Sequence, residues 1–278
     1  MVKLVLSSAS NFTDNMLKAN SLDYLKYEIV YKDEHYLSTL EWTYPSKEDM
    51  IDYMKNGGLV TIAHPPIGEW VKEFNELLKE DRDMVCLLTS HNLGGACRAF
   101  NIVKNLIKTD RQVEGLEVNG AGPCEELIAI KLIDFIKEDT TIEEIKSYFD
   151  SLNQNVHYYA ISESMRQWAY TGRSNDKKTE LVYPQGLPVM KGQPDGHIVP
   201  LGLCSNFDSA LSRFREEIQG MKAEACVINY TFDTYSDWID KFEQTVIDAL
   251  TCKVIAKNCH GSTVTCVEGV NSVDVAFI

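Results

Sequence analysis

Apolar and polar positions along this chain repeat in two different periods, and the changes of period mark its elements. Residues 84–88 are a continuous apolar run with charges before it, the pattern of a strand buried on both faces. The polar turn formers Thr89, Ser90, His91 and Asn92 follow, and Gly94 and Gly95 allow close approach of the backbone to a ligand or a neighbouring element. From Leu93, the residues Cys97, Phe100, Val103, Leu106 and Ile107 recur at helical spacing. A strand that ends in such a turn and feeds a helix gathers N–H groups and the positive helix end at one point, which suits an anion such as a carboxylate or phosphate.

The same alternation continues on both sides of this unit. Residues 2–6, 27–31, 59–63 and 113–118 read as further strands. Helices are expected over 47–56, 69–79, 125–137 and 142–152, with Ser46 and Asp49, and then Thr141 and Glu144, spaced as capping boxes. Strands alternating with helices over this length imply right-handed crossovers and a parallel sheet covered on both faces. Strand 156–161 opens a second part, with a short helix ending at Gly172-Arg173 and hairpins and loops over 174–200. Helices over 207–221 and 234–250 and strands over 225–232, 252–257 and 273–278 complete it. The expected architecture is therefore α/β in two domains: 1–154 around a parallel sheet and 155–278 around a mixed sheet.

Composition narrows the function classes. The 278 residues are 44% hydrophobic, enough for two cores and against disorder. A net charge of −14, from 27 basic against 41 acidic residues, argues against nucleic acid and against unaided adhesion to anionic lipid. No apolar run approaches the ~18 residues of a membrane span, and the start of the chain is too short in apolar residues for a signal peptide. The eight cysteines contain no CxxC pair and sit mostly in apolar runs, so they read as reduced thiols in a cytoplasmic protein. Cys252, Cys259, His260 and Cys266 are the one group resembling metal ligands, and their spacing fits no common zinc pattern. No metal and no cofactor are expected.

Several segments resemble the bacterial DegV family over the whole length. GEWVKEFNELL (68–78) follows a proline turn, and TSHNLGGACRAF (89–100) is similar to the family's Ser-Ser-x-Leu-Ser-Gly-Thr segment. YTGRS (170–174) resembles its Gly-Gly-Arg turn and DGHIVP (195–200) its Asp-Gly hairpin. The resemblance implies the two-domain DegV-like (EDD) fold, a fatty acid buried between the domains, and, in some members, service as the acyl-carrying subunit of a fatty-acid kinase. It also implies where this chain departs. The family's Thr and Ser beside the ligand carboxylate align with Ile62 and Ala63, its serine pair with Ser90 and His91, and its later Ser and Thr with Gly94 and Ala96. Its C-terminal histidine aligns with Val267.

The candidate ligand site is therefore Ser90, His91, Gly94 and Gly95, with Ile62, Ala63 and His64 beside them. Ser90 and neutral His91 each donate one hydrogen bond, and His64 stands next to the altered Ile62-Ala63 pair. Arg173 aligns with the arginine that faces the partner in kinase-associated members. Three function classes follow: a non-catalytic fatty-acid carrier, which is favoured; an enzyme using Ser90 with His91 or His64 on an acyl or phosphoryl substrate; and a diverged homologue binding another small amphiphile or an anion. The second lacks a third group to orient the base, a G-x-S-x-G elbow and a Walker loop, so no catalytic residue is assigned.

Overall fold

The computed structural model describes residues 1–40, 42, 45–163, 165–172, 186–232 and 234–278. In chain order the elements are β1 (Lys3–Ser7), α1 (Asp14–Asn20), β2 (Asp23–Leu25), β3 (Glu28–Tyr31), β4 (Glu34–Leu37), α2 (Lys47–Lys55), β5 (Thr61–Ala63), α3 (Ile67–Leu77), β6 (Met84–Thr89), α4 (Ala96–Leu106), β7 (Val113–Val118), α5 (Pro123–Phe135) and α6 (Ile142–Asn153). They continue with β8 (His157–Ser162), α7 (Arg166–Tyr170), β9 (Leu187–Gly192), β10 (Ile198–Cys204), α8 (Phe207–Ile218), β11 (Ala225–Tyr230), α9 (Ser236–Leu250), β12 (Lys253–Cys259), α10 (Ser262–Glu268) and β13 (Ser272–Phe277).

The first half builds a parallel sheet in the order β2-β1-β6-β7. Every residue of β6 is buried, as a strand covered on both faces must be. Trp70 and Phe74 of α3 pack with Phe100 and Val103 of α4 on one face, and Leu127, Ile128 and Leu132 of α5 lie in the core on the other. The capping box at Thr141 and Glu144 is formed at the start of α6. The second half carries a mixed sheet in the order β10-β9-β8-β13-β11-β12, with α8 packed on it through Phe214 and α9 through Phe242 and Val246. All strands of the first sheet precede residue 154 and all strands of the six-stranded sheet follow it.

Two features depart from the pattern-based expectation. Residues 27–31 and 59–63 do not join the parallel sheet: β3 pairs antiparallel with both β4 and β5 in a separate three-stranded sheet. The hairpin between β3 and β4 turns through Lys32 and Asp33, both in the left-handed region (φ 51° and 64°), the type I′ geometry usually signalled by Asn-Gly. Without that signal the turn was not legible. The second departure is α10, whose STVTCVE sequence is rich in β-branched residues that favour strands, yet is helical and almost wholly buried. Tertiary packing overrides propensity there, and α10 forms one wall of the site. Among the described residues, no helix is long and apolar enough to cross a membrane.

Candidate ligand site

Two neighbouring cavities with shared wall residues lie where the C-terminal ends of β5 and β6 meet α10. The inner one, about 40 Å³, is lined from the first half by Ala9, Ile62, Thr89, Leu93 and Ala121. From the second half come Tyr158, Trp168, Ile198, Thr263, Val264, Val267 and Glu268. The outer one, about 100 Å³, shares Ile62, Thr89 and Leu93 with it and adds Tyr27, Ala63, His64, Gly94, Gly95 and Ala96. The inner space is mainly apolar. The outer space has polar groups around its rim.

Five of the seven residues singled out from the sequence, Ile62, Ala63, His64, Gly94 and Gly95, line the outer cavity. Gly95 is the N-cap of α4 and no side chain caps that helix, so its first N–H groups are available at the wall formed by Gly94, Gly95 and Ala96. The absence of a Cβ at Gly95 has a use: one placed there would lie 3.0 Å from Cδ2 of His64. His64 Nδ1 lies 2.9 Å from the Pro65 carbonyl, which fixes Nδ1–H as the donor and leaves Nε2 as the ring's acceptor when neutral. Tyr27 and Thr89 hydroxyls lie 3.3 Å apart on the same wall, and burial pushes the Tyr27 phenol well above its ordinary range.

Ser90 and His91 are not among the residues lining either cavity. Ser90 is fully buried, its Oγ accepts the Asn92 N–H, and a Cβ on Gly196 would collide with it, so the Asp195-Gly196 turn is seated directly on this serine. His91 is exposed and turns to Glu117 of β7, to which both its backbone N–H (2.8 Å) and its ring are hydrogen-bonded. Burial would raise the Glu117 carboxyl, but these bonds from His91 hold it below the usual range. In place of the expected Ser90-His91 pair, the polar side chains lining the outer cavity are Tyr27, His64 and Thr89. The side chain that leaves a turn takes its direction from distant partners, here Glu117 and Gly196, and no local pattern carries that information. Arg173 lies outside the described residues.

Sequence reasoning missed the acids. Glu125 and Glu126, the first turn of α5, are fully buried, as is Asp274, and Glu268 nearly so. Ser7 donates to Glu125 from its N–H (2.8 Å) and its hydroxyl (2.9 Å), while Asn229 and Asn258 amides donate to Glu126. Burial pushes these carboxyls up to about 7 for Glu125 and about 8 for Glu126. In the sequence they look like ordinary acids favouring a helix N-terminus, and only the neighbouring Cys124, Leu127 and Ile128 hint that this first turn is enclosed.

With this geometry in hand, comparison places the chain. A model of the "Uncharacterised protein, DegV family" matches residues 1–278. The chain belongs to the DegV family. DegV domain-containing proteins of Staphylococcus aureus are 20% identical over 215 residues, covering 77% of this chain and 75% of theirs. Among solved structures, a stearic-acid-binding protein from Eubacterium ventriosum superposes with a TM-score of 0.85 at 16% identity, covering 100% of this chain and 98% of that one. A DegV lipid-binding protein from Thermotoga maritima gives 0.82 at 14% (99% and 97%), and a fatty-acid-binding DegV family protein from Thermus thermophilus 0.83 at 13% (99% of each). The α/β DegV fold, with its parallel and mixed sheets, is thereby established for this chain.

Proposed function

We propose that this protein is a carrier that holds the hydrocarbon chain of a fatty acid between its two halves. The observation that carries this reading is the apolar inner cavity, walled by both halves and separated only by shared wall residues from an outer cavity that ends at His64 and the uncapped start of α4. Its bound state requires movement. Ligand sites of drug size enclose ~300–1,000 Å³, against about 40 Å³ and about 100 Å³ here, so Trp168, Ile198 or their neighbours turn aside as the chain enters. A carboxylate at the outer cavity meets N–H groups and the helix's positive end, which offsets part of its desolvation cost. The fatty-acid-binding structural relatives support the same ligand class.

No turnover is assigned. Ser90 is packed beneath Gly196, and His91 turns to Glu117. Native mass spectrometry of protein expressed in a bacterial host tests the carrier reading directly: bound fatty acid is expected, and delipidated protein should rebind palmitate or stearate. A protein that retains no lipid and shows no saturable binding of either acid would refute it.

Resemblance to kinase-associated members supports one further step, presentation of the carboxylate to a fatty-acid kinase that docks around Arg173. Arg173→Ala is expected to lower partner-dependent phosphorylation while leaving fatty-acid affinity unchanged. Equal phosphorylation of the variant and the parent removes the assignment.

A further inference from the structure

His260, at the end of β12, meets Glu268 of α10 and Asp274 of β13 in the interior of the second half. One candidate ligand atom from each residue lies within 4.8 Å of the others, and all three residues are at most 3% exposed. Their proton inventory is short. Thr231 Oγ1 donates to the Gly269 carbonyl (3.0 Å), so towards His260 Nδ1, 3.5 Å away, it acts as acceptor and Nδ1 carries the ring proton. Nε2 of a neutral ring then presents a lone pair to Asp274 Oδ1 at 3.1 Å, acceptor against acceptor. Asp274 Oδ2 is buried and has no hydrogen-bond partner among the described residues. Glu268 accepts the hydroxyl protons of Tyr158 (2.7 Å) and Ser272. Burial beside Asp274 pushes its carboxyl up to about 8, so without a cation the two carboxyls share one proton that a bound ion would displace.

Lone pairs that converge out of water without donors need a cation or an added proton. We propose that His260, Glu268 and Asp274 bind one divalent transition-metal cation, of the Zn²⁺ or Mn²⁺ class. An imidazole with two carboxylates is the donor set these ions take, and soft thiolates are not required. Tetrahedral metal–ligand bonds of ~2.0–2.2 Å put neighbouring ligand atoms ~3.4 Å apart, so a pair at the 4.8 Å limit must close by about 1.4 Å as the ion enters. Two further features fit a metal site. Thr231 holds Nδ1, which also faces Glu268 Oε2 at 3.9 Å, and so leaves Nε2 for the cation. His260 also lines a solvent-facing cleft of about 430 Å³ with Asn11, Thr13 and Lys47, which supplies an entry path. Glu268 on the other side lines the inner cavity, so the cation sits between solvent and the ligand space.

The test uses the full chain, stripped by chelation and then titrated with Mn²⁺ and, separately, with Co²⁺ as an optical reporter. One ion per chain is expected, with a raised Tm and a Co²⁺ spectrum lacking the thiolate charge-transfer band that Cys259 or Cys266 would produce. Because loss of an outer-sphere partner alone typically costs ~10–100-fold in metal affinity, Asp274→Asn should lose at least that much. Glu268→Gln serves if that variant does not fold, and the Tm shift of the unaltered protein needs no variant. No saturable binding and no Tm shift would mean that a shared proton occupies the cluster, and the proposal would fail. Binding unchanged by either variant, or a thiolate spectrum, would overturn it equally.

Discussion

Between pH 5 and pH 8 this protein is expected to lose stability, and Glu125→Gln is expected to remove on the order of 2–3 kcal/mol of that loss. Burial raises the Glu125 carboxyl from 4.5 to about 7. A carboxyl whose folded pKa is raised binds its proton more tightly in the native state than in the unfolded one. Its contribution is therefore fully present below pH 4.5 and is lost as pH rises through the window from 4.5 to about 7. A tenfold difference in proton affinity between the folded and unfolded states corresponds to about 1.4 kcal/mol, and the group is fully enclosed, so solvent screening does not reduce the figure. Glutamine reproduces the neutral form: its Oε1 accepts the Ser7 N–H, and its amide nitrogen donates to Ser7 Oγ. Urea unfolding of both proteins at pH 5 and pH 8 decides the matter. Similar stabilities are expected at pH 5, with the variant ahead at pH 8. Parallel pH profiles would show that Glu125 is ionised in the fold despite its burial.

Ala121→Leu is expected to weaken binding of a long-chain fatty acid roughly fiftyfold while leaving the fold intact. Ala121 is a partly exposed wall residue of the inner cavity, at the end of β7 and beside the first turn of α5. A leucine there would take the space that the acyl chain needs. Each methylene kept out of an apolar site costs about 0.8 kcal/mol, so excluding three costs about 2.4 kcal/mol. The stability cost of overfilling is ~1–3 kcal/mol and is reduced where a side chain can lean towards solvent. The measurement is a titration with a fluorescent or isotopically labelled fatty acid, with the Tm as a folding control. Wild-type affinity in the folded variant would place the acyl chain elsewhere and remove the cavity from the proposed function.

Local chemistry accounts for a definable share of this molecule. The buried strand β6, the glycines that follow it and the periodic helix α4 are written in consecutive residues, and they form as written. So does the Thr141-Glu144 capping box, whose partners are three residues apart. Periodicity carries this information because it reports which side of an element is dry, and that is a property of the element itself. The outer cavity lies where β5 and β6 end: Ala63 closes β5, His64 follows it, and the turn after β6 supplies Gly94 and Gly95.

What depends on distant partners was not written locally. His91 leaves its turn towards Glu117, 26 residues on, and Ser90 is covered by Gly196, so two neighbours in the chain serve no common site. The turn at Lys32 and Asp33 adopts a left-handed geometry because β3 and β4 pair, not because those residues prefer it. Glu125, Glu126, Glu268 and Asp274 read as ordinary surface acids until α5, α10, β11 and β13 close around them. Sequence alone determined the α/β class and the strand–turn–helix units, because short-range periodicity and turn chemistry suffice for these. The tertiary structure alone decided which polar groups are buried together, because the cost of burying a charge depends on everything that surrounds it and not on its neighbours in the chain.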